Sequence, residues 1–296
     1  MKRLIVNADD FGLAESVNRG IIVAHREGIL TSASLLANGS AFEQSIALAD
    51  QCPDLSVGVH LNISDGIPIS PARSIPTLVN DHGELHLSPL RIWIRILTRQ
   101  IRLEDIYSEF RAQLLKVSDA GLLPTHLDGH LHVHVLPQLS PIVIGLAREF
   151  RIRCVRCPAE NLEAALPALW KFGGPGIAGL RRSAIACGVS SLVRPFRERL
   201  RMAGLDGPNA FYGLAETGFL DVRMVSALLH LVPDGTTELM CHPGYSSAEL
   251  ETVGGELTRS RQTEVLALTS REIRETTERL GIRLTNFRHL EETLPG

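Results

Sequence analysis

Short apolar runs alternate along this chain with longer stretches in which apolar residues return every three or four positions. The runs at Leu4–Ala8, Thr31–Ala37, Ser56–Asn62, Thr125–His130, Ile152–Arg156, Glu238–His242 and Ile282–Asn286 have the length of buried strands. Helical periodicity lies between most of them, at roughly Glu15–Glu27, Ala41–Gln51, Leu103–Ala120, Gln138–Phe150, Val222–Leu231 and Arg259–Leu280. Gly28, Gly121 and Gly281 stand where helices are expected to end. Strand–helix alternation of this kind predicts a parallel sheet. About seven strands over this length favour a (β/α) barrel of the α/β class over an open sheet.

Two regions leave the rhythm. Residues 63–102 carry Pro68, Pro71, Pro76 and Gly83, followed by the apolar-basic stretch Leu90-Arg91-Ile92-Trp93-Ile94-Arg95-Ile96-Leu97. Residues 166–207 are rich in Gly and Arg, with Arg181, Arg182, Arg194, Arg197, Arg199 and Arg201 set among Leu, Val, Ile and Phe. Long insertions on a barrel form lids or binding loops. The expectation is one domain over residues 1–296 with lid-like insertions near 63–102 and 166–207.

Composition narrows the class without naming it. The formal net charge of −3 gives no electrostatic reason to expect a nucleic-acid partner. The apolar segment after Met1-Lys2-Arg3 is too short for a signal peptide, and no stretch reaches the roughly 18 apolar residues of a membrane span. The expected location is the cytoplasm, with peripheral contact at the inner membrane surface. Five cysteines with irregular spacing do not read as a disulfide framework. Cys154 and Cys157 form a lone C-x-x-C, read as two ordinary thiols near a strand end. Cys241 is expected to be buried, because neighbours on a strand face opposite ways.

The chemistry concentrates where the strand pattern ends. Asn7-Ala8-Asp9-Asp10-Phe11-Gly12 closes the first strand, Gly58-Val59-His60-Leu61-Asn62 the third and Cys241-His242-Pro243-Gly244 the sixth. In Thr125-His126-Leu127-Asp128-Gly129-His130-Leu131-His132-Val133-His134 the residues His126, Asp128, His130, His132 and His134 share one parity, which an extended backbone sends to one face. Barrel chemistry sits at the C-terminal ends of strands. One aspartate of the Asp9–Asp10 pair can ligate a divalent metal while the other faces water. His60 and His130 would complete a set of one carboxylate and two imidazoles that leaves coordination positions open. His242 could then protonate a leaving amine. The set describes metal-assisted hydrolysis of an amide or ester. His25, His82, His86, His230 and His289 lie outside these motifs and read as surface or structural.

These four motifs, in this order and over nearly the whole chain, resemble the YdjC-like (ChbG-type) carbohydrate deacetylases. The resemblance implies a barrel of the glycoside hydrolase/deacetylase type and hydrolysis of N-acetyl groups on amino sugars. It implies one divalent metal, Mg2+ in the family, held at Asp10, His60 and His130, with Asp9 as catalytic base. His242 as general acid follows by analogy with related polysaccharide deacetylases. His126, Asp128, His132 and His134 are read as groups that orient ligands or line the substrate pocket. Mixed nitrogen and oxygen donors also suit Zn2+ or Mn2+.

Within the family the chain looks most like the hopanoid-associated HpnK-type proteins, which implies an N-acetylglucosaminyl hopanoid, a membrane glycolipid, as substrate. The apolar-basic segments fit a protein that meets an amphiphile at an anionic surface. The alternatives are a deacetylase of soluble chitooligosaccharides and a non-catalytic sugar- or lipid-binding accessory protein. A homodimer is the expected assembly.

Overall fold

A computed structural model of the chain describes residues 1–172, 177–253, 257–258 and 260–292. Among the described residues nine strands are assigned: β1 Lys2–Phe11, β2 Ser32–Leu35, β3 Ser56–Leu61, β4 Asp65–Gly66, β5 Leu85–His86, β6 Leu127–Gly129, β7 Ala210–Tyr212, β8 Gly235–Cys241 and β9 Arg283–Thr285. The helices are α1 Glu15–Glu27, α2 Phe42–Asp50, α3 Pro89–Leu97, α4 Leu103–Asp119, α5 Ser140–Glu149, α6 Leu162–Phe172, α7 Ile177–Met202, α8 Val222–Leu231, α9 Ala248–Val253, α10 Ser260–Leu268, α11 Arg271–Arg279 and α12 Phe287–Glu292.

The main sheet is parallel and runs β6-β3-β2-β1-β8-β7. Residues 154–160 join its two edges, since Val155 bridges Leu127 of β6 and Glu160 bridges Phe211 of β7. The sheet thereby rounds on itself, with Cys154 also bridged to Asp206. The fold is the expected α/β barrel. The 152–156 segment is not a regular strand, because its partners change from one residue to the next.

Alternation along β1 separates two interiors. Leu4, Val6 and Ala8 belong to the main apolar core between the sheet and the helices. Ile5 falls in a separate small cluster with Cys154, Phe287 and Leu290. β9 lies against β1 only at Arg3–Ile5, and β2 takes over from Asn7. The floor of the barrel is therefore made by the chain's late segment, and Phe287 stacks on His126 with ring centroids 3.8 Å apart. A small residue is needed beside that ring: a Cβ on Gly58 would stand 2.5 Å from the His126 carbonyl oxygen.

Several expectations need correction. The Arg259–Leu280 helix is two helices, α10 and α11, parted at Thr269-Ser270, and Arg259 lies outside the described residues. The Gly- and Arg-rich insertion near 166–207 is built mainly of α6 and α7; residues 173–176 lie outside the described residues. Strand β6 stops at Gly129, so the shared parity of His126 through His134 does not carry past it. Among the described residues, no helix is long and apolar enough to cross a membrane.

Candidate metal centre

The register of β1 against β2 shifts between Ala8 and Phe11, and Asp10 sits there with φ 67°. A bulge at a strand end re-aims a side chain, and a left-handed non-glycine residue marks stored strain. The consequence is local and chemical. Neighbours on a regular strand diverge, yet Asp9 Oδ2 and Asp10 Oδ1 lie 3.8 and 3.9 Å from the same atom, His60 Nε2. His60 is the penultimate residue of β3.

His130 reaches the same place from β6. Just past Gly129 the chain turns into a 3-10 segment, His130–Val135, with left-handed Leu131 and His132. That turn sets His130 Nδ1 3.3 Å from Asp10 Oδ1 and 3.3 Å from His60 Nε2. Donor atoms about 2.1 Å from one ion stand roughly 3.0–3.4 Å apart in octahedral or tetrahedral arrangements. The triangle of Asp10 Oδ1, His60 Nε2 and His130 Nδ1 is close to that size.

Two further observations test the fit of a cation. Asp10 Oδ1 is sealed from solvent and accepts no hydrogen bond, its closest polar contact being the ion pair with His130. His60 Nδ1 lies 2.8 Å from Asp128 Oδ1, which keeps the ring proton at Nδ1 and leaves a lone pair on Nε2. Asp65 Oδ2, on β4, stands 3.5 Å from His130 Nε2 and favours the corresponding tautomer there. These residues can hold a divalent ion.

Electrostatics agree with an anionic Asp10. Burial alone would raise its pKa, but the Arg261 guanidinium and His130 outweigh burial and hold the carboxyl well below the usual range. Arg261 donates to Asp10 Oδ2 from Nη2. Burial would lower His130, yet Asp10 and Asp65 lift it to about 10.

Asp9 faces inward beneath this triangle. Its Oδ1 accepts from Arg156 Nη2 at 2.6 Å and from Asn7 Nδ2 at 3.0 Å, and its Oδ2 accepts from Arg156 Nη1 at 2.8 Å. Arg156 is fully buried and also donates from Nε to Glu238 Oε1 and pairs with Asp128 Oδ2, both at 2.8 Å. Burial would raise Asp128, but Arg156 and His60 hold it well below the usual range. Glu238 behaves in the opposite way. Burial pushes it up to about 8; Arg156 opposes that, and Asp128 and Asp9 add to it.

A second group of candidate donors, Asp9, His60 and Asp128, meets below the triangle, but the Arg156 guanidinium already fills its bonding positions.

His242 follows β8, one position past the Ala8–Cys241 pair, and so falls opposite Asp9. Its backbone N donates to Glu264 Oε2 at 2.5 Å. Burial lowers its imidazole to about 4. His126 lies lower in the barrel, 3.1 Å from Ser34 Oγ, lowered by burial to about 3. His132 and His134 are turned away from the triangle. His132 packs edge-on to Phe211, and His134 packs edge-on to Phe196 and donates from Nε2 to the Arg156 carbonyl. Cys154, Cys157 and Cys241 are buried, and burial raises the Cys157 thiol to about 11.

Arg156, Glu238, Arg261 and Glu264 were not among the expected residues. A signal existed for two of them. Arg156 shares the parity of Cys154, Glu238 shares that of His242, and a charged residue at an inward position of an apolar run demands a partner.

The family model described as YdjC-like protein matches residues 3–279. A Carbohydrate deacetylase of Brevibacillus brevis is 33% identical over 293 residues, covering 97% of this chain and 99% of that protein. A Chitooligosaccharide deacetylase of Serratia marcescens is 32% identical over 231 residues, covering 76% of this chain and 85% of that one. The crystal structure of a putative cellobiose-phosphate cleavage protein from Enterococcus faecalis superposes with a TM-score of 0.76 at 27% identity and covers 98% of both chains.

Proposed function

This chain belongs to the YdjC-like protein family, and from that premise we propose that it is a metal-dependent N-deacetylase acting on an N-acetylglucosamine unit. The observation that carries the reading is the triangle of Asp10, His60 and His130 directly above a carboxylate held by Arg156. A sugar-binding accessory protein has no use for a base beside a cation site. The ion of the reading is divalent, Mg2+ by family resemblance, while two imidazoles and a carboxylate also suit Zn2+ or Mn2+. When bound, it supplies a Lewis acid for an acyl carbonyl and for water.

The chain's own residues do the rest. A carboxylate offers about four acceptor positions. Asp9 uses two on Oδ1 and one on Oδ2, and the remaining one on Oδ2 takes the proton of the attacking water. Arg156 keeps Asp9 oriented throughout. The carbonyl C–N bond breaks, and the abstracted proton goes to the departing amine, which leaves acetate and a free amino sugar. His242, neutral at pH 7, is the hydrogen-bond partner of the leaving nitrogen and donates a proton only after gaining one.

The carrier of the sugar in this proposal is amphiphilic, a hopanoid-type glycolipid met at the inner membrane surface. Helix α3 supports it. Ile92 and Ile96 are buried, but Leu90, Ile94 and Leu97 are 62%, 49% and 57% exposed, next to Arg91 and Arg95. The helix packs on the 130–135 turn that carries His130, where Leu131 is exposed as well. Acetate release from an N-acetylglucosaminyl glycolipid in mixed micelles is expected to exceed release from soluble N-acetylated chitooligosaccharides, and chelation is expected to abolish both. Equal or faster turnover of the soluble sugar removes the lipid carrier. Full activity after chelation and dialysis removes the metal.

A further inference from the structure

Helix α10 reaches the centre from outside the barrel through two residues one turn apart, Arg261 and Glu264. Both are buried to about 1% exposure, and neither belongs to any of the four motifs. Arg261 donates from Nη2 to Asp10 Oδ2. Its carbonyl oxygen accepts from Gly244 N at 3.2 Å, and its side chain would meet a Cβ on Gly244. Glu264 accepts from His242 N. One short helix thus grips the carboxylate of the cation triangle and both ends of the His242-Pro243-Gly244 turn.

The same place concentrates unmet bonding capacity. Among the described residues, sixteen buried side-chain atoms lack a hydrogen-bond partner. Five belong to this group: Asp10 Oδ1, His242 Nδ1, Arg261 Nε, Arg261 Nη1 and Glu264 Oε1. Unmet buried polar groups are costly and persist where function keeps them. A purely structural clamp would close these pairs on one another.

We propose that Arg261 and Glu264 are positioning residues of the reaction. Arg261 fixes Asp10 through Oδ2, so that the single oxygen Oδ1 is presented to the cation, and Glu264 fixes the turn that presents His242. The assignment rests on the cation reading above and extends it to a part of the chain that reading did not use. The two residues act on different partners, so their removal separates. Loss of an outer partner of a metal ligand costs 10- to 100-fold in metal affinity or activity.

The test uses Mn2+ as probe, titrated into the full chain and followed by electron paramagnetic resonance, beside steady-state acetate release. Arg261→Met is expected to weaken Mn2+ binding about tenfold or more. Arg261→Lys, which keeps the buried charge but loses the fork, is expected to weaken it less, and it carries the test if Arg261→Met does not fold. Glu264→Leu is expected to leave Mn2+ affinity unchanged and lower kcat about tenfold with little change in KM. Glu264→Gln, whose amide oxygen still accepts from His242 N, restores kcat. Unchanged Mn2+ affinity in the folded Arg261 variants, or a kcat loss in Glu264→Gln as deep as in Glu264→Leu, overturns the assignment alone. Failure of the unsubstituted protein to bind Mn2+ overturns it together with the cation reading.

Discussion

Two aspartates, adjacent in sequence, each hold an arginine, and the two pairs are built in opposite ways. Arg156 spends every nitrogen: Nε on Glu238, Nη1 on Asp9 and Asp128, and Nη2 on Asp9. Arg261 spends Nη2 on Asp10 and has no hydrogen-bond partner at Nε or Nη1. Both lie where the register shifts between Ala8 and Phe11, but Asp9 has both oxygens hydrogen-bonded, whereas Asp10 takes the left-handed backbone and its Oδ1 accepts no hydrogen bond. A guanidinium with every nitrogen engaged holds geometry, and one with nitrogens to spare leaves bonding capacity beside the cation site. One position of chain separates the two tasks.

The sharpest way to break this contrast is at the saturated arginine. Arg156→Met leaves Asp9, Asp128 and Glu238 buried around a neutral side chain. Removing one partner of a buried ion pair costs about 3–5 kcal/mol, a large share of the roughly 5–15 kcal/mol that stabilises a domain. The variant is expected to melt far below wild type or not to fold, as read by circular dichroism; an unchanged melting temperature would mean the network contributes nothing.

Next comes Asp9 itself. Asp9→Asn is expected to keep Mn2+ binding while acetate release falls roughly 10²–10⁴-fold, the range for loss of a general base. Asp10→Asn should lose both. If Asp9→Asn releases acetate at a near-normal rate, the base lies elsewhere.

The smallest effect is a slope. Glu238 titrates near 8 in the fold against 4.5 in its ordinary state. Between those values the native protein binds more protons than the unfolded chain, so stability falls as pH rises from about 4.5 to 8. Glu264, raised by burial to about 7, declines in the same sense, while the depressed Asp10 and Asp128 withdraw stability only as pH drops below the normal aspartate range. The buried His126, His132, His134 and His242, all lowered by burial from 6.5, withdraw stability as pH falls below that value, so the opposing trends meet close to neutrality. Glu238→Gln is expected to make the decline of melting temperature toward pH 8 shallower, and an identical slope would place the proton on another group.

The helices α1 and α8 have the boundaries that apolar periodicity predicted, and the strand-end motifs do lie together at one end of the sheet. Strand β7 left no signal because it is three residues long and follows Pro208. α6 and α7 were hidden by prolines and glycines that tertiary packing tolerates. The parity of residues 126–134 misled past Gly129, since two left-handed residues break the period. Asp10 was legible as a residue type but not as a direction, which depends on a register shift that side-chain pattern does not encode. Arg261 and Glu264 were invisible for a plainer reason: on an amphipathic helix a charged residue reads as solvent-facing, and only the fold turns these two inward.

The floor under these networks comes late in the chain. β9 and Phe287 follow every other element of the barrel, so during synthesis the rim emerges from the ribosome while the base is still unsealed. Ile5, Cys154 and the His126 ring stay open to water from below until that tail docks. Docking of this segment closes the barrel from below and adds β9 beside β1. A nick ahead of residue 283 would yield a chain with all its chemistry in place and a barrel that proteases can enter from underneath.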